Sequence, residues 1–161
     1  QAKVAVWIAT ANVKDLHLEA HFGTRSRARG RYVSIVELLN ELAQRGVDVR
    51  LLHGSTPSRP FLAELRRHDT QKQRCFGMRS CPRTHLKMVA VDGAQLYLGS
   101  ANLTGAGLGA KGDGRRNFEA GVLTDDDLLL DRMQALFQAI WTGAHCGGCK
   151  VRQHCDQPLD G

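Results

Sequence analysis

The chain reads as an α/β sandwich, a mixed β-sheet covered by helices, and three observations predict it. Apolar, β-branched runs at 3–8 and 47–53 alternate with segments of helical period, the pattern of strands in a helix-covered sheet. From residue 74 onward several short strands follow one another, two of them flanking an Asp92-Gly93 turn signal. A last segment then carries Leu129, Met133, Leu136, Phe137, Ile140 and Trp141 as an apolar stripe at helical spacing. At 161 residues and 42% apolar content this is one domain, large enough to bury about two thirds of its unfolded surface. No apolar run approaches the ~18 residues that a membrane helix needs.

In chain order, 3–8 is the first strand, and 12–30, which holds His17 and His21, reads as irregular. Ser34-Ile35-Val36-Glu37 matches a capping box and opens a helix that buries Leu38, Leu39 and Leu42 and stops at Gly46. The second strand, 47–53, is followed by a short helix over 60–68, with Pro60 suited to its first turn. A third strand is expected over 74–78, a fourth over 85–91, its hairpin partner over 94–98, and another over 119–123. Thr124-Asp125-Asp126-Asp127 caps the last helix, its carboxylates complementing the helix dipole. Gly107-Leu108-Gly109-Ala110-Lys111-Gly112 has the letters of a dinucleotide loop, but no helical pattern follows it, so a Gly-rich loop is expected instead. Residues 1–143 are assigned to one catalytic domain and 144–161 to a Cys-rich tail packed on it.

The chemistry is concentrated in His85-Leu86-Lys87, Asp92 and Gly99-Ser100-Ala101-Asn102, which together read H-x-K-x4-D-x6-G-S-x-N. If 85–91 is a strand, alternation puts His85 and Lys87 on one face, and the returning strand delivers Ser100 and Asn102 just past its end. An imidazole, an ammonium, a hydroxyl and an amide then share one small volume. A phosphodiester under attack gathers negative charge on its non-bridging oxygens, which fixed donors such as Lys87 and Asn102 stabilise. A neutral imidazole can attack phosphorus or move protons near neutral pH.

This pattern resembles the signature of the phospholipase D superfamily. The resemblance implies a phospholipase D-like α/β sandwich and metal-free cleavage or exchange of phosphodiesters. It also implies a phosphohistidine on one histidine, while a second protonates the leaving oxygen and later activates water. Asn117-Phe118-Glu119 resembles the family's N-x-E strand, which makes Glu119 the candidate for orienting His85. Asp92, at the Asp-Gly turn, is expected to be structural. Arg79, Arg83 and Gly99 are expected to contact substrate beside the catalytic set His85, Lys87, Ser100, Asn102 and Glu119. No other histidine is followed two residues later by lysine, and single-motif members of the family complete their site by symmetric dimerisation. A homodimer with a shared site is therefore expected, with His17 as the alternative second histidine.

Charge bears on the substrate. Residues 1–92 carry 16 Lys/Arg against 8 Asp/Glu, and residues 93–161 carry 6 against 8. Basic residues cluster at Arg25, Arg27, Arg29 and Arg31 and again from Arg66 through Arg83, suiting a polyanion. An endonuclease-type enzyme on nucleic acid is the favoured reading. A lipid hydrolase or transphosphatidylase on anionic lipid is the alternative, and a non-catalytic nucleic-acid-binding module the second alternative.

Cys146-Gly147-Gly148-Cys149, five residues and then Cys155 make a C-x2-C-x5-C run, with Cys75 and Cys81 flanking the loop before His85. Structural zinc on Cys81, Cys146, Cys149 and Cys155 is the first expectation, with His145 and His154 as substitute ligands. The spacing also resembles the last three ligands of the iron–sulfur loop in helix-hairpin-helix DNA glycosylases, so an iron–sulfur cluster is the alternative. Disulfides are the third reading, although five cysteines would strand one thiol. No cofactor is expected for catalysis. The expected compartment is the cytoplasm; Gln1 in place of an initiating Met suggests truncation or processing and leaves a removed signal or anchor open.

Overall fold

A computed structural model describes residues 2–19, 32–110 and 112–159. His21, Arg25, Arg27, Arg29, Arg31 and Lys111 lie outside the described residues. The elements are β1 (Ala5–Thr10), β2 (His17–Glu19), β3 (Tyr32–Ser34), α1 (Ile35–Gln44), β4 (Asp48–His53), α2 (Arg59–Arg67), β5 (Phe76–Ser80), β6 (Met88–Val91), β7 (Gln95–Gly99), β8 (Gly121–Thr124) and α3 (Asp127–Thr142). Six strands form one mixed sheet in the order β5-β4-β1-β6-β7-β8. The strands β1, β4 and β5 run parallel, while β6, β7 and β8 each pair antiparallel with the preceding neighbour.

Alternation along the strands divides the core between the two faces of the sheet. Val6, Ile8, Val49 and Leu51 pack with Val36 and Leu39 of α1 and Phe61 and Leu65 of α2. Ala9, Leu52, Met88, Ala90 and Leu96 pack with Leu130 and Phe137 of α3. The helix ends follow from the sequence: the Ser34 and Ser58 hydroxyls accept from Val36 and Phe61 N–H, and the Asp126 carboxylate accepts from Leu129 N–H. Gly46 and Gly143 close α1 and α3 at φ +85° and +82°, where a Cβ would be strained.

The β6–β7 hairpin turns on Asp92 and Gly93, both at positive φ, which matches the right-handed twist of its strands. Asp92 does more than turn the chain. Its carboxylate accepts the backbone N–H groups of Lys3, Val4 and Ala5 at 2.8, 2.8 and 2.9 Å, closing off the start of β1. These bonds, led by that from Ala5, hold its carboxyl below the usual carboxylate range.

Three expectations are corrected. The stretch 12–30 is not wholly irregular, since β2 pairs antiparallel with β3. The motif strand begins at Met88, three residues late, so His85 and Lys87 sit on the loop that feeds it. Likewise β8 begins at Gly121 and leaves Glu119 in the preceding connection.

Candidate active site

The C-terminal ends of the parallel strands β1 and β4, the entry to β6 and the exit of β7 meet at one edge of the sheet. His85 is exposed there, on a loop whose position is set from behind. Cys81 N–H bonds the His53 carbonyl, Thr84 N–H bonds the Cys81 carbonyl, and Thr84 is buried. Gly54, just past β4, lets that loop approach: a Cβ there would lie 2.3 Å from the Thr84 carbonyl oxygen and 3.1 Å from that of Ala11.

Lys87 folds back on the histidine. Its Nζ donates to the His85 carbonyl at 3.0 Å and lies 3.2 and 3.3 Å from Nδ1 and Nε2 of the ring. The pair is therefore made by loop geometry and not by strand alternation. Asn102 stands past the end of β7, its Oδ1 accepting Asn12 N–H at 3.1 Å. The amide acceptor is thus used within the protein, and the group left to offer is the Nδ2 donor. Thr10 secures the same corner, its hydroxyl accepting Leu103 N–H at 3.0 Å. A Cβ on Gly107 would come within 2.6 Å of the Asn102 carbonyl, so the Gly-rich loop packs directly against this residue.

Glu119 does not orient His85 by a direct bond, which corrects the expectation. Its carboxylate accepts the Ser100 hydroxyl at 2.5 Å and the Asn117 amide at 2.9 Å. Ser100 also accepts Ala120 N–H at 3.0 Å, so its hydroxyl is committed to this junction. The Ser100 bond, then the Asn117 bond, and also the Lys87 ammonium hold the Glu119 carboxyl below its ordinary range. An anion therefore stands beside Lys87 at neutral pH.

The other expected residues divide. Gly99 is a packing position, since a Cβ would meet the Tyr97 hydroxyl at 2.5 Å and the Ala120 carbonyl at 2.7 Å. Arg79 is engaged away from the site: its guanidinium donates to the Trp141 carbonyl and lies over the Trp141 ring at 5.1 Å. Arg83 is exposed, two residues before His85, with Nη1 4.0 Å from Cys149 Sγ. The basic run from Arg66 does not line the approach to His85 as a whole. Arg66 and Arg67 end α2, and Lys72 and Arg74 precede β5, which places all four at the opposite edge of the sheet. Sequence reasoning overlooked exposed Lys14, whose N–H bonds the Leu103 carbonyl, Arg59 beside Ser58, whose N–H bonds the Val13 carbonyl, and exposed Arg115 before Asn117.

Among the described residues no second histidine bonds to this group. His17 faces Asp15 at 3.6 Å. His53 is buried with Nδ1 2.9 Å from the Ser55 carbonyl, and burial lowers its pKa against opposing contributions from that carbonyl and Asp156.

The cysteines separate by position. Cys75 precedes β5 and packs with the α1–α2 core, whereas Cys81 follows β5 at the site edge. Cys81, Cys146, Cys149 and Cys155 line one cavity of about 230 Å³ between the tail, the His85 loop and α3. His145 lines it too, while His154 is exposed beside Gln153. No disulfide joins any two of the five cysteines.

A family model described as the cardiolipin synthase, PLD-like domain matches residues 1–141. The fold resembles NucT from Helicobacter pylori, with TM-score 0.60 and 15% identity over 87% of this chain and 80% of that one. It also resembles Nuc, a phospholipase D family member from Salmonella typhimurium, with TM-score 0.57 and 19% identity over 88% and 80%. A phosphatidylserine synthase from Haemophilus influenzae superposes with TM-score 0.53 and 18% identity, over 86% of this chain and 33% of that one. No curated protein matches the sequence.

Proposed function

The chain belongs to the phospholipase D superfamily through its PLD-like domain, and from that premise we propose a phosphodiesterase that works through a phosphohistidine and acts on nucleic acid. The observation that carries this reading is the exposed His85 ring with the Lys87 ammonium 3.2 Å away, beside the uncommitted donor of Asn102. A ring nitrogen of His85 attacks phosphorus, and the phosphorus–oxygen bond to the leaving alcohol breaks. Lys87 and Asn102 stabilise the charge that builds on the non-bridging oxygens. A second histidine gives its proton to the leaving oxygen, then takes one from the water that attacks the phosphohistidine and frees His85.

His85 of a second copy supplies that second group. The apolar side chains of Phe118, Val122 and Leu123 support such a face, since they lie exposed immediately after the Asn117 junction and along the edge strand β8. Nucleic acid is favoured by the net charge of +6 and by Lys14, Arg59, Arg83 and Arg115 at the site edge. The family description and the phosphatidylserine synthase likeness make a phosphatidyl lipid the second reading. Among the described residues no helix is long and apolar enough to cross a membrane.

The test incubates the purified chain, with chelator present, with single-stranded DNA, RNA and phosphatidylglycerol vesicles. Oligonucleotide cleavage that falls ~10³-fold or more in His85→Ala, with phosphate trapped on His85 after quenching, is the expected result. Lipid cleavage without oligonucleotide cleavage would replace the substrate. Unchanged turnover in His85→Ala would overturn the chemistry, and full activity from a diluted monomer would overturn the shared site.

A further inference from the structure

The cysteine tail is a separate problem from the phosphodiester site, because nothing in that chemistry uses it. Residues 144–159 contain no strand and only one short 3₁₀ turn, Arg152–His154. Most of the tail's side chains are exposed, yet Cys146, Cys149 and Cys155 are each turned partly inward. The tail's successive backbone bonds run through these residues: Cys146 N–H to Gly143, Cys149 N–H to Cys146, Arg152 N–H to Cys149 and Cys155 N–H to Arg152. Ser80 N–H donates to Gln157 Oε1 at 2.9 Å and ties the tail to the end of β5.

We infer that Cys81, Cys146, Cys149 and Cys155 hold a four-iron iron–sulfur cluster that fastens the tail to the loop carrying His85. The ligand set is four thiols from two distant parts of the chain around one cavity, and an all-thiolate set selects zinc, copper(I) or iron–sulfur. Size decides among these. A lone zinc ion, with bonds of about 2.3 Å, would draw its four sulfurs to about 3.8 Å of one another. The four cysteines are among the residues lining a cavity of about 230 Å³, room for a body of several atoms.

The surroundings agree. Leu136 and Ile140 of α3 present apolar surface to the cavity, and Arg83 and Arg152 bring positive charge to its wall. Four thiolates around a cluster carry net negative charge, which those guanidiniums complement. Assembly releases the four thiol protons and draws on two ferrous irons, two ferric irons and four sulfides, so no further oxidant is needed. Cys75 is excluded by place, being at the other end of β5.

The full chain, reconstituted anaerobically with equal ferrous and ferric iron and sulfide, is assayed for iron, acid-labile sulfide and zinc and for visible charge-transfer absorption. About four irons and four sulfides per chain are expected. Cys81→Ser and Cys149→Ser should each fall below one iron, while Cys75→Ser keeps the wild-type content. Should those variants fail to fold, alkylation of the loaded wild-type chain replaces them: the four ligands should be protected until iron is stripped. About one zinc without iron or sulfide would overturn the inference. So would metal-free protein with paired cysteines, wild-type iron in Cys81→Ser, or equal alkylation of the four thiols before and after stripping.

Discussion

Gly54→Ala should damage catalysis from a position that touches no substrate. The new Cβ would stand 2.3 Å from the Thr84 carbonyl oxygen, where an ordinary carbon–oxygen contact is about 3.3 Å. Both nearest obstacles, Thr84 O and Ala11 O, are backbone atoms, so no rotamer change relieves the clash. The loop must retreat by about 1 Å, and Thr84 is the residue immediately before His85. Overpacking of this kind costs about 1–3 kcal/mol. A displacement of about 1 Å at a reacting group can cost ~10²-fold in rate. The assay pairs urea denaturation with kcat and KM on a small diester, so that binding along a polymer does not mask the chemical step. Gly46→Ala is the control. It lies at the far end of the sheet with nothing within 4 Å of a Cβ, and its φ of +85° makes the cost one of backbone strain, about 1–2 kcal/mol. It should lose stability and keep kcat. A Gly54→Ala chain with wild-type kcat would refute the claim that this contact places His85.

Two further outcomes concern titratable groups. Asp92→Ala should lose about 2 kcal/mol by urea denaturation at pH 7, since three backbone donors lose an ionised acceptor, and Asp92→Asn should lose less because asparagine still tolerates the turn. The folded carboxyl is held low, so its contribution is complete above the unfolded value of about 3.9. It disappears as pH falls through the folded value, and the wild type and Asp92→Ala should converge in acid. His53 acts in the same direction nearer neutrality: its folded pKa is depressed, so between that value and about 6.5 the unfolded chain binds more protons. Stability should be full above ~6.5 and decline as pH falls below it, and His53→Gln should flatten that slope in calorimetric scans.

Local chemistry was readable and distant contact was not. Asp92-Gly93 specified a hairpin because a two-residue turn is decided by the residues in it. That Asp92 also receives the first amides of β1 could not be read, since its partners lie up to 89 residues away. His85 and Lys87 were rightly paired for a reason the structure replaces: they meet by a lysine folding back on a loop, not by facing the same side of a strand. Glu119 was placed beside the site through its N-x-E neighbourhood, but a motif cannot say which polar group a carboxylate takes, and it takes Ser100. The basic run failed as a single surface because β5 separates its two ends across the sheet. Three-residue strands such as β2 and β3 carry too little pattern to be recognised.

The place of β1 in the sheet has a consequence for how the domain comes into being during synthesis. The sheet's first strand in chain order is flanked on both sides, by β4 and by β6. Trp7 finds its Asp48 partner 41 residues later, and Ala5 finds Asp92 87 residues later. As the ribosome delivers the chain in order, β1 and β4 can join early, but the second edge of β1 stays open until residue 92 has cleared the exit tunnel. For that interval a β-branched, hydrogen-bond-hungry edge is presented to whatever is nearby, another nascent copy included. The hairpin that brings Lys87 and Asn102 into register is thus also the element that closes this window.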